Sequence, residues 1–379
     1  MIEKYHDKCT GCNVCSSVCK KEAIALKIDD KGFWYPVVDA NKCVKCGRCE
    51  SICPVSNKYK LDNHLNMIYV AQNRDNNIRK NSSSGGIFYS IAKNILDMDG
   101  FVVGAAFSED YHTVHHIIIN DEKDLYKLQG SKYVQSYIEP QIYNDIKNLL
   151  EDRKRVLFSG TPCQINAINK IFSKQYNNFL TIDIVCHGVP SPLTWKEYVI
   201  EAEKKYNAKL TKANFRAKPN GWKRYELLLK FSNQTYSKWF NEDAYGKSFI
   251  HNIFLRDCCY TCQFKGIPRN ADISLGDFWG IDKEYDDDKG TSLLIVNSLQ
   301  GKELLESISN EINYTDIKIE KAFPGNYALL KSSKYFEKRE DAFKRLKDSN
   351  YSFSSIVKKY THVSLIKRVI NKVQRIVKR

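Results

Sequence analysis

Apolar and polar positions alternate with two different periods along this chain, and the changes of period predict a series of strands and helices. Short apolar runs, typical of buried strands, cover residues 67–73, 101–107, 155–159, 179–185 and 291–297. Between them lie stretches in which apolar residues recur at helical spacing, as Ile87, Ile91 and Ile95 do. Strands that alternate with helices are typical of an α/β fold, whose functional loops follow the carboxyl ends of the strands. We therefore predict an α/β body.

The segments around this body follow other patterns. Residues 210–240 have the alternation of a β-meander, and residues 23–39 alternate around a polar turn, which predicts a hairpin. The chain beyond Ser332 is charged and predicted to be helical. We expect three parts, at residues 1–60, 67–330 and 331–379, with residues 55–65 as a polar linker.

The first 53 residues contain two copies of one cysteine pattern, CxxCxxCxxxC. This is the spacing of a ferredoxin module with two 4Fe–4S clusters, in which the fourth cysteine of each run binds the other cluster. Gly11 and Gly47 lie inside the wraps, where a residue without Cβ relieves crowding. Pro54 matches the motif's C-P ending, whereas Lys20 replaces that proline in the first copy.

The pattern therefore predicts an α+β ferredoxin-like N-terminal module with two ligand sets. Cluster one takes Cys9, Cys12, Cys15 and Cys53, and cluster two takes Cys19, Cys43, Cys46 and Cys49.

Zinc and disulfides are the alternatives for these cysteines. Zinc ribbons use pairs of CxxC rather than triplets with a trailing cysteine. Disulfides need an oxidising compartment, and the first residues lack an apolar signal-peptide core. With no run of 18 apolar residues, we expect a soluble cytoplasmic protein.

The net charge of +15 suggests nucleic acid as a partner, but no nucleic-acid motif is present, so we expect none. A basic surface also steers an acidic redox partner. An apolar stripe at Ile366, Val369, Ile370 and Val373 lies between basic residues near the end of the chain. Two interpretations stay open for residues 363–379: a helix that docks on the body, or a helix that lies on the anionic inner face of a membrane.

Five more cysteines lie in the body, and four of them could hold a third cluster. They are Cys163, Cys186, Cys258, Cys259 and Cys262. A free cysteine is usually a small buried apolar residue, but several of these follow predicted strands or form CxxC. The serines and glycines before Ile87 are explained either by a capped turn or by a phosphate loop at a helix N-terminus.

Several body motifs together resemble one known family. The motifs are GTPCQ at 160–164, DIVCHGVPSP at 183–192, CYTC at 259–262 and ADISLGDFWG at 271–280, with SSGG at 83–86 and GSKY at 130–133. In this order they are similar to the family of coenzyme F420 hydrogenase/dehydrogenase beta subunits, over about residues 67–330. Proteins of this family combine a flavin with iron–sulfur clusters, and the founding members pass electrons between FAD and a deazaflavin coenzyme.

The resemblance implies specific sites in the body. It implies FAD, with Ser84, Gly85 and Gly86 at the pyrophosphate and Gly130, Ser131, Lys132, Tyr133 and Thr161 as further contacts. It implies a third 4Fe–4S cluster on Cys163, Cys186, Cys259 and Cys262, with Cys258 as the rival for one place. His187 either donates a hydrogen bond that tunes the site or is a packed loop residue.

The predicted function is that of an iron–sulfur flavoprotein oxidoreductase. It would pass electrons between a hydride-carrying coenzyme, deazaflavin F420 or a substitute, and its clusters through FAD, and exchange them with a redox partner protein or subunit. One alternative is a ferredoxin-like electron-transfer subunit without a substrate site. The other is an accessory protein of polysaccharide biosynthesis, in which the clusters either transfer electrons or only stabilise the fold.

Overall fold

A computed structural model describes residues 1–61, 64–173 and 175–362 of the chain. The strands are β1 (Ile24–Ile28), β2 (Trp34–Val38), β3 (Met67–Asn73), β4 (Phe101–Phe107), β5 (Val114–Ile119), β6 (Ser136–Tyr137), β7 (Val156–Gly160), β8 (Phe179–Ile184), β9 (Leu210–Ala217), β10 (Glu226–Phe231), β11 (Thr235–Trp239), β12 (Ile273–Asp277), β13 (Ser292–Val296) and β14 (Ile312–Asp316).

The helices are α1 (Val14–Ser17), α2 (Arg48–Ile52), α3 (Asn76–Asn81), α4 (Ile87–Asp97), α5 (Leu125–Leu128), α6 (Pro140–Glu151), α7 (Pro162–Phe172), α8 (Pro192–Tyr206), α9 (Ala244–Ile250), α10 (Asp257–Tyr260), α11 (Leu299–Ser307), α12 (Ile319–Ala322), α13 (Tyr327–Leu330), α14 (Arg339–Leu346) and α15 (Phe353–Thr361). Short 3-10 helices cover Ile2–Lys8, Glu122–Asp124 and Lys283–Tyr285. Within the described residues, no helix is both long enough and apolar enough to cross a membrane.

A mixed sheet of nine strands forms the centre of the body, in the order β14-β3-β13-β12-β8-β7-β4-β5-β6. Its middle strands β12, β8, β7 and β4 run parallel, so their carboxyl ends lie at one edge of the sheet. β3 has the same direction, because β13 is antiparallel to both β3 and β12. The loops that follow these strands therefore meet at one edge, where α/β proteins bind their ligands.

Helices cover both faces of this sheet, which explains why its central strands are apolar along their whole length. One core contains Ile87, Ile91 and Ile95 of α4 together with residues of α11, and the opposite core contains residues of α6 and α7. The predicted meander forms a separate antiparallel sheet, β9–β11, which packs with α8, α9 and α15 in another core. The body is thus a mixed α/β structure with the predicted meander.

The N-terminal residues pack closely against this body. Phe33 lies in the turn of the β1–β2 hairpin and is fully buried. Its ring packs edge-on against Phe343 of α14, with ring centroids 6.3 Å apart. Cys12 and Val14 belong to the same apolar core as α6 and α7. In the predicted linker, Tyr59 is buried, so this part of the segment lies on the protein rather than in solvent.

One predicted helix differs from the structure in a way that matters for the site. The sequence around residues 246–256 predicts one helix, but α9 ends at Ile250. Asn252 adopts a left-handed backbone conformation, with φ 59°, which an α-helix does not continue through. The buried segment after it pairs Leu255 with Pro190 and leads to Arg256. The predicted helix over residues 363–379 lies outside the described residues.

Candidate functional site

Two of the body cysteines lie next to each other because their strands are neighbours. β7 and β8 are parallel and adjacent, so Cys163 at the start of α7 and Cys186 just after β8 lie at the same edge of the sheet. The three cysteines of residues 258–262 lie on and just after α10. All five line one cavity, together with Lys8 and Thr10 of the N-terminal segment.

These thiols differ in acidity because of burial and mutual contact. Burial raises the pKa of Cys163, Cys186 and Cys262, that of Cys186 to about 12. A hydrogen bond between the neighbouring thiols raises the pKa of Cys258 and lowers that of Cys259. The backbone N–H of Val189 also donates to Cys259 Sγ, at 3.4 Å. This N–H favours the thiolate form of Cys259.

The donor set fits an iron–sulfur cluster, since thiolates are the usual ligands of such clusters. In the part of the chain that the structure describes, no group of three or more His, Cys, Asp and Glu side chains is arranged to hold a single metal ion. A cubane contains several iron and sulfur atoms, so its ligands stand farther apart than those of one ion. The body cysteines surround a cavity, as a cluster requires.

The structure brings four of the eight N-terminal cysteines to one cavity. Cys9, Cys12, Cys15 and Cys53 line one cavity, and the last three of them are buried. Burial raises the pKa of Cys12 to about 12, and raises the pKa of Cys15 and Cys53. Gly11 and Gly47 adopt left-handed conformations, with φ 70° and 75°, as expected of residues inside these wraps.

The other group is nearer the surface. Backbone hydrogen bonds join Ala23 to Asp39 and Asp39 to Cys43, and the Ala23 N–H donates to Cys19 Sγ at 3.4 Å. This brings Cys19 to the loop that carries Cys43, Cys46 and Cys49. Cys46 is exposed, whereas the other three are half-buried.

A cleft of about 600 Å³ runs beside the body cysteines along the carboxyl edge of the sheet. Cys163, Cys186 and His187 line both the cleft and the cysteine cavity, so the two sites are in direct contact. Thr10 lines both of them as well as the cavity of the first N-terminal group. The cleft is large enough for much of a cofactor and lies where α/β folds bind them.

Two loops that the sequence singles out form one wall of this cleft. The wall residues include Ser84, Gly86, Gly130, Ser131, Lys132 and Tyr133. The loops are joined because the backbone N–H of Ser131 donates to Ser83 Oγ at 2.8 Å. Gly86, with φ 85°, is the N-cap of α4, so the start of this helix faces the cleft.

Gly85 does not line the cleft, although its neighbours do. It lies behind the loop, and a Cβ there would come within 2.4 Å of the Ala71 carbonyl oxygen and 2.8 Å of the Ser292 backbone nitrogen. The residue is needed for close packing of the loop on the sheet. A contact between Gly85 and a bound ligand is therefore not supported by its position.

Lys132 places a positive charge in the cleft. Its ammonium donates to the carbonyl oxygens of Gln129, at 2.9 Å, and Gly130, at 3.4 Å. Burial lowers the pKa of Lys132 to about 7. An anionic group bound nearby would favour the charged form, so this side chain is suited to an anionic ligand.

The lining of the cleft also contains a buried ion pair that no sequence pattern indicates. Arg216 of β9 binds Asp277 of β12 with two hydrogen bonds, at 2.5 and 2.9 Å, and its guanidinium lies 4.0 Å from the centre of the Tyr225 ring. Trp222 donates to Asp277 at 3.0 Å and stacks on Trp279 with ring centroids 4.4 Å apart. These contacts join the meander to the main sheet.

The two remaining predicted residues are held by local hydrogen bonds. Thr161 lines the cleft and forms a capping box with Gln164 at the start of α7. His187 shares a hydrogen bond of 2.6 Å with Asn252 Oδ1, and burial lowers its pKa. His187 thus has a fixed position and also lines both cavities.

Sequence reasoning missed several residues of the site. Asp277 and Trp279 lie within the motif at 271–280, but the motif alone gave them no role. His116, whose pKa burial lowers to about 4, lines the cleft from β5, where only its position in an apolar run could have drawn attention. Arg216 and Arg256 are isolated arginines, and no spacing or periodicity distinguishes them from surface residues.

Comparison with known proteins identifies the parts of the chain. Residues 68–141 match the model of the N-terminal region of the coenzyme F420 hydrogenase/dehydrogenase beta subunit, and residues 153–321 match that of its C-terminal region. Residues 8–57 match a 4Fe-4S dicluster domain. The two matches to the beta subunit contain the residues of the cleft described above, except Thr10.

Two curated relatives match parts of this chain. A subunit of the F(420)H(2) dehydrogenase of Methanosarcina mazei is 24% identical over 182 residues, which cover 44% of this chain and 49% of the relative. A protein of Methanocaldococcus jannaschii is 25% identical over 196 residues, covering 44% of this chain and 53% of the relative. The chain thus spans about half the length of the curated relatives that it matches.

A solved structure is also similar. It is a chain of the F420-reducing [NiFe] hydrogenase complex of Methanosarcina barkeri, 17% identical, with a TM-score of 0.48 over 75% of this chain and 91% of that one. The family matches, which agree with the motifs of both regions and with the N-terminal cysteine pattern, decide the assignment. This chain belongs to the family of coenzyme F420 hydrogenase/dehydrogenase beta subunits and carries an N-terminal 4Fe-4S dicluster domain.

Proposed function

We propose that this chain is a flavin-dependent iron–sulfur oxidoreductase subunit. It passes electrons between a hydride-carrying coenzyme, either the deazaflavin F420 or a substitute, and three 4Fe–4S clusters. One observation carries this proposal: the cleft adjoins the cavity of the body cysteines, and Thr10 lines both of these and the cavity of Cys9, Cys12, Cys15 and Cys53. A hydride acceptor and two clusters could therefore lie in contact.

The residues of the cleft fit FAD. The start of α4 at Gly86 and the ammonium of Lys132 would hold the pyrophosphate, since helix N-termini and cations both favour phosphate. Tyr133 stacks on Phe249 with ring centroids 4.4 Å apart, which holds an aromatic wall in place. A bound flavin would supply the change from two-electron hydride chemistry to one-electron transfer.

The chain's own residues would bind and insulate these groups. Arg216 and Asp277 hold the meander against the sheet, so that the wall formed by Tyr225 and Trp279 keeps its position. Cys163, Cys186, Cys259 and Cys262 would hold the body cluster. Cys259 is a better candidate than Cys258 because the Val189 N–H donates to its Sγ and favours its thiolate form.

The partners follow from the same arrangement. The second group of N-terminal cysteines includes the exposed Cys46, so cluster two would lie where electrons enter or leave the chain. A relative carries the name of a dehydrogenase subunit, which supports a partner subunit as the other reactant.

Anaerobic purification and titration test the proposal. We expect about twelve irons and one FAD per chain, and bleaching of the clusters by a reduced hydride carrier. The titration should compare reduced deazaflavin, NADH, NADPH and reduced ferredoxin, since nothing in the cleft identifies the ring system of the donor. The carrier that reduces the flavin fastest identifies the class of substrate.

The same measurements separate the alternatives. Eight irons and no flavin would instead indicate a ferredoxin-like carrier without a substrate site. Clusters that dithionite cannot reduce would indicate a structural role, as in an accessory protein of polysaccharide biosynthesis. Either result would refute the oxidoreductase proposal.

A further inference from the structure

Arg256 is a buried cation at the junction between the N-terminal module and the body. Its side chain is fully buried. The guanidinium donates to the Cys9 carbonyl oxygen at 2.7 Å, to Gln135 Oε1 at 3.1 Å and to the Trp34 carbonyl oxygen at 2.9 Å. It also lies 4.0 Å from the centre of the Tyr35 ring. One side chain thus holds both sides of the junction.

The charge of Arg256 has no carboxylate partner among the described residues that contact it. The adjacent acid, Asp257, binds Arg339 instead, at 3.0 Å. A buried charge is costly unless something balances it. The atoms in contact with its guanidinium are carbonyl oxygens, an amide oxygen and an aromatic ring, and Cys9, Cys258 and Cys259 are among the neighbouring groups that favour its charged form.

A cubane with four thiolate ligands is an anion, and it gains one further negative charge when it is reduced. A nearby fixed positive charge therefore favours the reduced form, and net charge is among the factors that set cluster potentials. In a buried site the effect is stronger, because the surroundings screen charge poorly.

We propose that Arg256 is a positioning residue that joins the body cluster to cluster one, and that its positive charge raises the reduction potentials of both. With clusters bound to the two cysteine sets, one electron would pass between the body cluster, on Cys163, Cys186, Cys259 and Cys262, and cluster one, in either direction, and no bond would form or break. Cluster two, on Cys19, Cys43, Cys46 and Cys49, lies outside the contacts of Arg256.

Arg256 connects the two cysteine sets through both its backbone and its side chain. Arg256 follows directly on the segment Ile253–Leu255 and precedes the cysteines of α10, so its backbone belongs to the body site. Its side chain donates to the backbone carbonyl oxygen of Cys9, the first cysteine of the cluster-one set. Gly11, with φ 70°, lets the loop approach, because a Cβ there would come within 2.4 Å of Gln135 Nε2 and 3.2 Å of Arg256 Nη1.

The sharpest test changes the charge without removing the arginine. In Q135E a carboxylate replaces the amide oxygen that accepts from Arg256 Nη1, so the positive charge is balanced in place. We expect the midpoint potentials of cluster one and the body cluster to fall, while that of cluster two stays unchanged. EPR-monitored redox titration of the full-length anaerobic protein measures all three, with C46S and C186S assigning the signals.

Further variants separate charge from packing. R256Q should lower the same two potentials, and R256K, which keeps the charge, should leave them close to those of the parent protein. Q72E makes the same chemical change on β3, where Gln72 binds Tyr285 and Thr291, and should shift none of the three. Iron content and thermal unfolding are measured for each.

The proposal rests on the proposed function only in needing clusters at these two cysteine sets. If iron analysis finds no body cluster, the proposed function fails, whatever Arg256 does. If the clusters are present and Q135E leaves both potentials unchanged, or shifts all three equally, the inference about Arg256 fails alone. Loss of iron from Q135E, which retains the arginine, would also overturn it, because Gln135 would then be needed for structure.

Discussion

Replacing Asp277 with asparagine tests whether the buried ion pair beside the cleft stabilises the body. Arg216 is 2% exposed and Asp277 16%, and two hydrogen bonds join them. Burial acts to lower the pKa of Arg216, but Asp277, Tyr133 and Tyr225 together outweigh it, so the pKa is raised. In D277N the arginine would keep its charge and lose the carboxylate that balances it.

The expected loss follows from what Arg216 retains. Tyr133 Oη and the Ser83 carbonyl remain, each at 3.2 Å, and asparagine still offers one acceptor oxygen. Breaking a buried pair costs about 3–5 kcal/mol, so we expect about 3 kcal/mol here. The loosened contact between the meander and the sheet should also reduce flavin content.

Urea denaturation followed by circular dichroism measures the stability, and the fluorescence of the neighbouring Trp222 and Trp279 reports on this part of the body. D287N is a matched control. Arg79 there keeps two hydrogen bonds to Gly290, and Asp287 is 41% exposed, so the loss should be about 1 kcal/mol or less. Equal losses in the two variants would show that burial of the Arg216 pair is not what makes it stabilising.

Three further predictions concern the cysteines, the cleft and its loops. C259S should lose about four irons per chain, whereas C258S should keep them; the opposite result would exchange the two ligands. FAD affinity should fall as the pH rises through about 7, because Lys132 then loses the charge that favours phosphate. K132M should bind FAD more weakly, and its affinity should depend less on pH. If the pH dependence of FAD binding is the same in K132M as in the parent protein, Lys132 does not contact the bound flavin. G85A should lose about 1–3 kcal/mol of stability, because the added Cβ would press against Ala71 and Ser292. In G130A the added Cβ meets no atom within 4 Å, so only the strain of a left-handed backbone should lower its stability. Equal effects of the two variants on the urea midpoint and on flavin content would contradict this difference.

The sequence predicts much of this site because the spacing of residues along the chain determines which of them lie together in the fold. The cysteine triplets bring Cys9, Cys12 and Cys15 to one cavity with Cys53, as the exchanged fourth ligand requires. Parallel strands bring Cys163 and Cys186 together, since the carboxyl ends of neighbouring strands coincide. Both results depend on local periodicity, which a single sequence contains.

Contacts between distant segments could not be predicted in the same way. An arginine within a strand or loop, such as Arg216 or Arg256, has the same local appearance whether it is buried or exposed. Helix α9 stops early because Asn252 is left-handed, and this conformation is fixed by tertiary contacts such as its bond to the Lys334 carbonyl. The cleft itself arises where the meander meets the sheet, through residues far apart in sequence.

The insertion of the N-terminal hairpin into the body has a consequence for biosynthesis. Phe33 packs against Phe343, Lys31 binds Glu340 and Asp30 binds Lys347, so residues made early meet partners made about three hundred residues later. On the ribosome, the ring of Phe33 lacks its Phe343 contact until α14 emerges. Clusters inserted before that point would bind to a chain that has not finished folding. The timing of iron delivery relative to release of the chain should therefore decide how much protein carries all its clusters.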